Sequence, residues 1–183
     1  VTMKVDAFCV MPLMSLGLAM TTFTGQNIGA GDIPRVEKGC RQGLLLTVSI
    51  TGGLSVLLFF FGKYPSMLFT PEPELLREGM HLLRILCPFY WVIAVSDLLT
   101  GVMRGSGNTI IPMINSMICL CLIRIPLMYW LVSLFHSADA LYYSMVIGWC
   151  VGATFMSLFY KFSPWRRRAL EKYQKDQQLL AEK

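Results

Sequence analysis

Long apolar stretches, broken by short basic or glycine-rich connections, set the pattern of this chain. Five of them match the roughly 20 mostly apolar residues that a helix needs to cross a bilayer: Val5–Thr24, Gly43–Gly62, Leu82–Met103, Ile110–Phe135 and Ala140–Phe159. None alternates with the period of two that marks a half-buried strand, so the pattern predicts an all-α, polytopic transmembrane bundle. The third and fourth runs are separated by only a few residues and form an antiparallel pair. Between the second and third, Gly62–Gly79 carries Pro65, Pro71, Pro73, Glu72, Glu74 and Glu78 and predicts a polar outer loop with a short surface helix. Residues 1–160 thus form one membrane unit, and 161–183 a basic tail.

Basic residues orient the bundle. Arg35, Lys38, Arg41, Arg104 and the tail residues Lys161, Arg166, Arg167, Arg168, Lys172, Lys175 and Lys183 fall on one side; Lys4, Lys63 and Arg77 fall on the other. That asymmetry predicts a cytoplasmic tail and an outside start for the first span. The net charge of +5 therefore belongs mostly to an anchoring tail suited to anionic lipid headgroups. Arg166–Arg168 are read as part of that anchor, and nucleic acid is not an expected partner.

Composition narrows the chemistry further. With 55% hydrophobic and 15% charged residues, the chain is too apolar for a soluble domain of 183 residues. It opens at Val1 close to an apolar run, which predicts a truncated or processed start. The six cysteines form no CxxC pair, and His81 and His136 stand alone, so neither a disulfide framework nor a metal site is expected. There is no phosphate-cradling Walker loop, no Ser/His/Asp or Cys/His set and no HExxH. An enzyme is not expected, and no cofactor beyond a coupling ion.

Ionisable groups inside the spans carry the functional signal, because a charge in hydrocarbon is costly. Asp97 lies six residues from the end of the third run, about 9 Å deep at 1.5 Å per residue. A carboxyl at that depth must face a cavity, find a donor or hold a proton. It suits a proton or sodium site, since occupancy changes its charge; a structural hydrogen bond to a neighbouring helix is the alternative. Arg124, near the middle of the fourth run and just before Pro126, reads as a structural or gating partner for a carboxylate on another helix. Gln26, at the end of the first run, reads as cap or cavity lining. Tyr90 and Asn115 add polar atoms able to wet one face of a cavity. Gly148 and Gly152 make a GxxxG spacing that usually marks close helix packing. Pro12, Pro88 and Pro126 are bending points or static kinks.

Three segments, TGQNIGAGDIPRVEKG (Thr24–Gly39), GVMRGSGNTIIPM (Gly101–Met113) and RIPLMYWL (Arg124–Leu131), resemble the carboxyl-terminal half of the multidrug and toxic compound extrusion (MATE) transporters. The resemblance implies twelve helices in two six-helix lobes, of which this chain supplies helices eight to twelve. It also implies a plasma-membrane antiporter exporting organic, often cationic, compounds in exchange for sodium ions or protons. Its partners would be membrane lipid, small organic substrates and the missing amino-terminal lobe. Some members place an acid in helix ten; Asp97 is the acid in the matching run, while a register one turn earlier falls on Ile93 or Trp91. Two other functions compete: a flippase for lipid-linked saccharides, which would want a more cationic cavity than Arg124 provides, and a non-transporting membrane assembly protein.

Overall fold

The computed structural model describes residues 2–64, 67, 72–135 and 139–181, and among these every regular element is helical. They are α1 (Thr2–Gly29), α2 (Ile33–Phe61), α3 (Pro73–Leu86), a 3-10 turn (Cys87–Phe89), α4 (Tyr90–Gly105), α5 (Ile110–Met117), a π-helical stretch (Ile118–Arg124), α6 (Ile125–Phe135), α7 (Asp139–Phe162) and α8 (Trp165–Ala181). Among the described residues, four stretches are long and apolar enough to cross a membrane: Ile33–Phe61, Leu76–Gly105, Ile110–Leu134 and Ala140–Phe162. The expected first span, Val5–Thr24, lies within the 28-residue α1, whose leading side chains fall outside the described residues.

Two boundaries differ from expectation. The stretch expected as a polar loop up to Gly79 is already helical from Pro73, with Pro73 supplying a preset φ in the first turn behind an extended Glu72. Residues 65, 66 and 68–71 of that stretch lie outside the described residues. Instead of a separate surface helix, α3 runs on into α4 through one 3-10 turn at Pro88. Proline there removes an N–H and pushes on the carbonyl of Arg84, so one turn tightens while the helix continues. The second disturbance is the π-helical stretch, which ends at Arg124 two residues before Pro126 and widens the span near its middle.

α4 is the central element. It packs most extensively on α1, and also on α2 and α7. Towards the end that carries Arg35, Arg41 and Arg104, the core gathers Met20, Ile28, Val36, Leu98, Val102, Met103, Met156 and Trp165. Towards the opposite end, Leu58, Leu83, Leu86, Tyr90 and Val146 form a second cluster. The outer faces of α2 and α5–α6 stay apolar and open, with Leu45, Phe60, Leu122 and Tyr129 all more than half exposed. In water such a surface would aggregate; against lipid or further helices it is at home.

The two turns at the basic end are copies of one another. After α1, Ala30 donates to Gln26, Gly31 to Ile28 and Asp32 to Asn27; after α4, Ser106 donates to Val102, Gly107 to Arg104 and Asn108 to Met103. Gly31 (φ 77°) and Gly107 (φ 83°) hold the left-handed residue that such a helix end requires. Asp32 Oδ1 then accepts from Arg35 N at 3.0 Å as the N-cap of α2, while Asn108, one residue ahead of the α5 N-cap Thr109, accepts from Ile111 N at 3.4 Å.

The basic tail is a docked helix. Trp165 of α8 is 1% exposed and donates Nε1–H to the Tyr160 carbonyl at 3.0 Å. Arg166 pairs with Glu37 of α2 and lies over the rings of Tyr160 and Trp165, while the Tyr173 ring sits against Gly31. α8 thus covers the α1–α2 turn.

Candidate functional site: a carboxyl in the cleft between α1 and α4

Small residues bring α1 and α4 together. A methyl placed on Gly101 would strike the Gly17 carbonyl, and one on Gly105 would strike the Thr21 carbonyl and the Thr24 side chain; one on Gly17 would lie 3.1 Å from the Asp97 carbonyl. Gly17, Thr21 and Gly25 on α1 therefore face Asp97, Gly101 and Gly105 on α4, both sets stepping by four along parallel rows. Close approach of this kind is how membrane helices gain packing energy where no hydrophobic drive separates them from lipid.

Beside this seam the two helices splay into a cleft of ≈ 340 Å³, lined by Met14, Ser15, Gly17 and Leu18 of α1 and by Asp97, Thr100, Gly101 and Arg104 of α4. Asp97 is half-buried there. Its carboxyl takes no hydrogen bond among the described residues. Arg104, two turns further along α4 on the same face, places a positive charge at the basic end of the cleft. Ser15 commits its hydroxyl hydrogen to the Met11 carbonyl at 3.0 Å and leaves its lone pairs free. The cleft can therefore hold a small cation or a proton on one carboxylate, flanked by the hydroxyls of Ser15 and Thr100 and repelled by Arg104. Among the described residues no group of three or more His, Cys, Asp or Glu side chains has the arrangement of a metal site.

The other residues singled out from the sequence are not in this cleft. Tyr90 is 1% exposed in the opposite-end core, its ring 6.0 Å from that of Trp149. Asn115 is buried against Gly152 of α7 and accepts a weak bond from Cys119 Sγ at 3.5 Å. Cys119 itself faces Gly148 and Gly152, so the GxxxG spacing does serve close packing, of α7 on the π-helical stretch. Gln26 is exposed at the end of α1, where its carbonyl caps the turn. Arg124 is half-buried at the end of the π-helical stretch. Ser15, Thr100 and Arg104 were not grouped with Asp97 in advance. Thr100 and Arg104 had a signal, since positions 97, 100 and 104 share one helical face; Ser15 had none, because nothing in the sequence pairs α1 with α4.

Comparison with known proteins bears on the whole chain. A family model described as MatE matches residues 1–130. A protein named "Probable multidrug resistance protein NorM" from Thermotoga maritima is 26% identical over 168 residues, covering 91% of this chain and 36% of that protein. "Probable multidrug resistance protein YoeA" from Bacillus subtilis is 30% identical over 126 residues, covering 69% of this chain and 27% of that protein. Among solved structures, the eukaryotic MATE transporter AtDTX14 superposes with a TM-score of 0.85 at 22% identity, over 94% of this chain and 39% of that one. The MATE transporter ClbM in complex with Rb+ gives 0.81 at 22%, over 96% and 40%. These two establish the fold alone. The chain spans about a third of the length of the curated relatives it matches.

Proposed function

The chain belongs to the MatE family, a group of multi-span membrane proteins, and from that premise we propose that it forms most of one lobe of an ion-coupled multidrug antiporter. In this reading the complete protein exports organic, often cationic, compounds across the plasma membrane, and the basic ends of α1, α2, α4 and α8 face the cytoplasm. The names of the NorM and YoeA relatives support the cargo class. The surplus of basic residues at one end supports the orientation.

One observation carries the mechanism: Asp97, with no hydrogen-bond partner among the described residues, lines a cleft within a membrane-length span together with Ser15, Thr100 and Arg104. A carboxylate there attracts a cation, sodium or proton, and binding cancels the charge. The occupied and empty cleft then differ by a full unit of charge, enough to favour different helix arrangements and so to couple ion release to cargo binding. α1 and α4 touch backbone to backbone along the glycine seam, so a change at Asp97 is felt directly by both helices. A lipid-linked saccharide as cargo has less support, since the cleft pairs its single cation, Arg104, with an acid that repels pyrophosphate.

Expression of the full-length gene product in cells lacking their own efflux pumps provides the test. Asp97→Asn should abolish dye resistance and efflux at wild-type protein levels, and Asp97→Glu should retain part of both. Undiminished efflux by Asp97→Asn, still dependent on an ion gradient, would contradict the assignment.

A further inference from the structure

Among the described residues Arg124 has no carboxylate partner. It lies fourteen residues from Ile110 and ten from Leu134 along a 25-residue span, about 21 and 15 Å at 1.5 Å per residue. Neither end is within reach of its side chain, so snorkelling does not rescue it. The carboxylates whose side chains are described lie elsewhere. Asp32, Glu37 and Glu171 are at the basic end, and Glu72, Glu74 and Glu78 at the opposite end. Asp97 sits within a span but lines the α1–α4 cleft. Among the described residues Arg124 forms no ion pair; the two pairs present join Arg166 to Glu37 and Arg167 to Glu171.

The span that bears it is also the least covered. Only 6% of its apolar window is buried, against 50% for Leu76–Gly105. α7 covers one side, through Gly148 and Gly152. A uniformly lipid-facing helix has no use for a guanidinium at mid-membrane, whereas a helix that meets another inside a larger assembly does. The NorM relative is nearly three times as long as the matched stretch, so most of that fold lies outside this chain.

We infer that Arg124 marks an internal interface, where it pairs with a carboxylate on a membrane helix belonging to the part of the MatE fold that this chain leaves uncovered. The occupant is specified by charge complementarity and by depth. A lipid phosphate lies too far from the bilayer centre to serve. The π-helical stretch ends at Arg124, so the backbone is already widened where the guanidinium must find its partner. This inference rests on membrane embedding and not on Asp97, so it stands or falls apart from the transport mechanism.

Its sign makes it testable. An unpaired arginine in hydrocarbon destabilises, and its removal stabilises; a paired one, when removed, strands the partner's charge. In the purified full-length gene product, Arg124→Leu should lower Tm by several degrees, and Arg124→Lys by less. Each Asp and Glu within the remaining spans is then changed to Asn or Gln in the Arg124→Leu background. Recovery of Tm at one position, or of folded yield if Arg124→Leu does not fold, identifies the partner. A raised or unchanged Tm in Arg124→Leu overturns the inference. So does a loss that no neutralised acid recovers, which would place the guanidinium on backbone carbonyls instead.

Discussion

Asp97 and Arg104 stand seven residues apart on one face of α4, about 10 Å along the axis, and both line the cleft. At that separation a fixed positive charge disfavours a cation on Asp97 by an amount worth about three- to tenfold in affinity in a partly screened site. Arg104→Gln is therefore expected to shift the ion dependence of transport to lower ion concentration by that factor. Initial efflux rates across a series of imposed gradients measure it, and an unchanged half-saturation would remove Arg104 from the site. Asp97 was legible in the sequence because a lone acid in an apolar run is conspicuous. Tyr90 was equally conspicuous as a polar atom in a span, yet its ring is spent on Trp149 and the core. Hydropathy registers that a polar group lies in a span but not which neighbour it faces.

At the scale of elements, the seam between α1 and α4 fixes the geometry on which the cleft depends. Gly101→Ala drives a methyl into the Gly17 carbonyl, and the resulting separation of the helices should cost about 1–3 kcal/mol. Gly29→Ala, whose added methyl meets nothing, is the control and should leave stability within about 0.5 kcal/mol. Thermal unfolding of the two variants in detergent distinguishes a packing seam from a general intolerance of alanine. The docked tail helix gives a second contrast. Trp165→Ala empties a fully buried site and should cost about 3–5 kcal/mol. Arg166→Gln loses a partly exposed ion pair worth about 1 kcal/mol or less. Limited proteolysis should cut after Arg167 or Arg168 much faster in the first variant than in the second; equal rates would mean that α8 is not held by Trp165. In the sequence GQNIGAGD and VMRGSGNT are two span ends on the same side, without a clear repeat between the spans. That both build the same turn, with matching donors, acceptors and left-handed glycines, needed backbone geometry. The π-helical stretch left no comparable trace, since ICLCLIR reads as ordinary apolar helix until its hydrogen bonds are counted.

For the molecule as a whole, hydrophobic runs sufficed to show an all-helical membrane protein, because lipid admits few other ways of satisfying a buried backbone. They were less able to show what belongs to the bundle interior. α2 and α5–α6 keep many large apolar side chains on their open faces, and it is the glycine seam and the 340 Å³ cleft that show where helices meet. The proposed role of Asp97 as carrier of the coupling ion is read most directly from cargo-evoked ion flux in proteoliposomes holding the full-length gene product and a sodium- or pH-sensitive dye. Addition of a cationic cargo to one side should release sodium ions or protons through the wild type. Asp97→Asn should give no cargo-evoked flux while still binding the cargo. Equal flux from the two proteins would remove Asp97 from the coupling step.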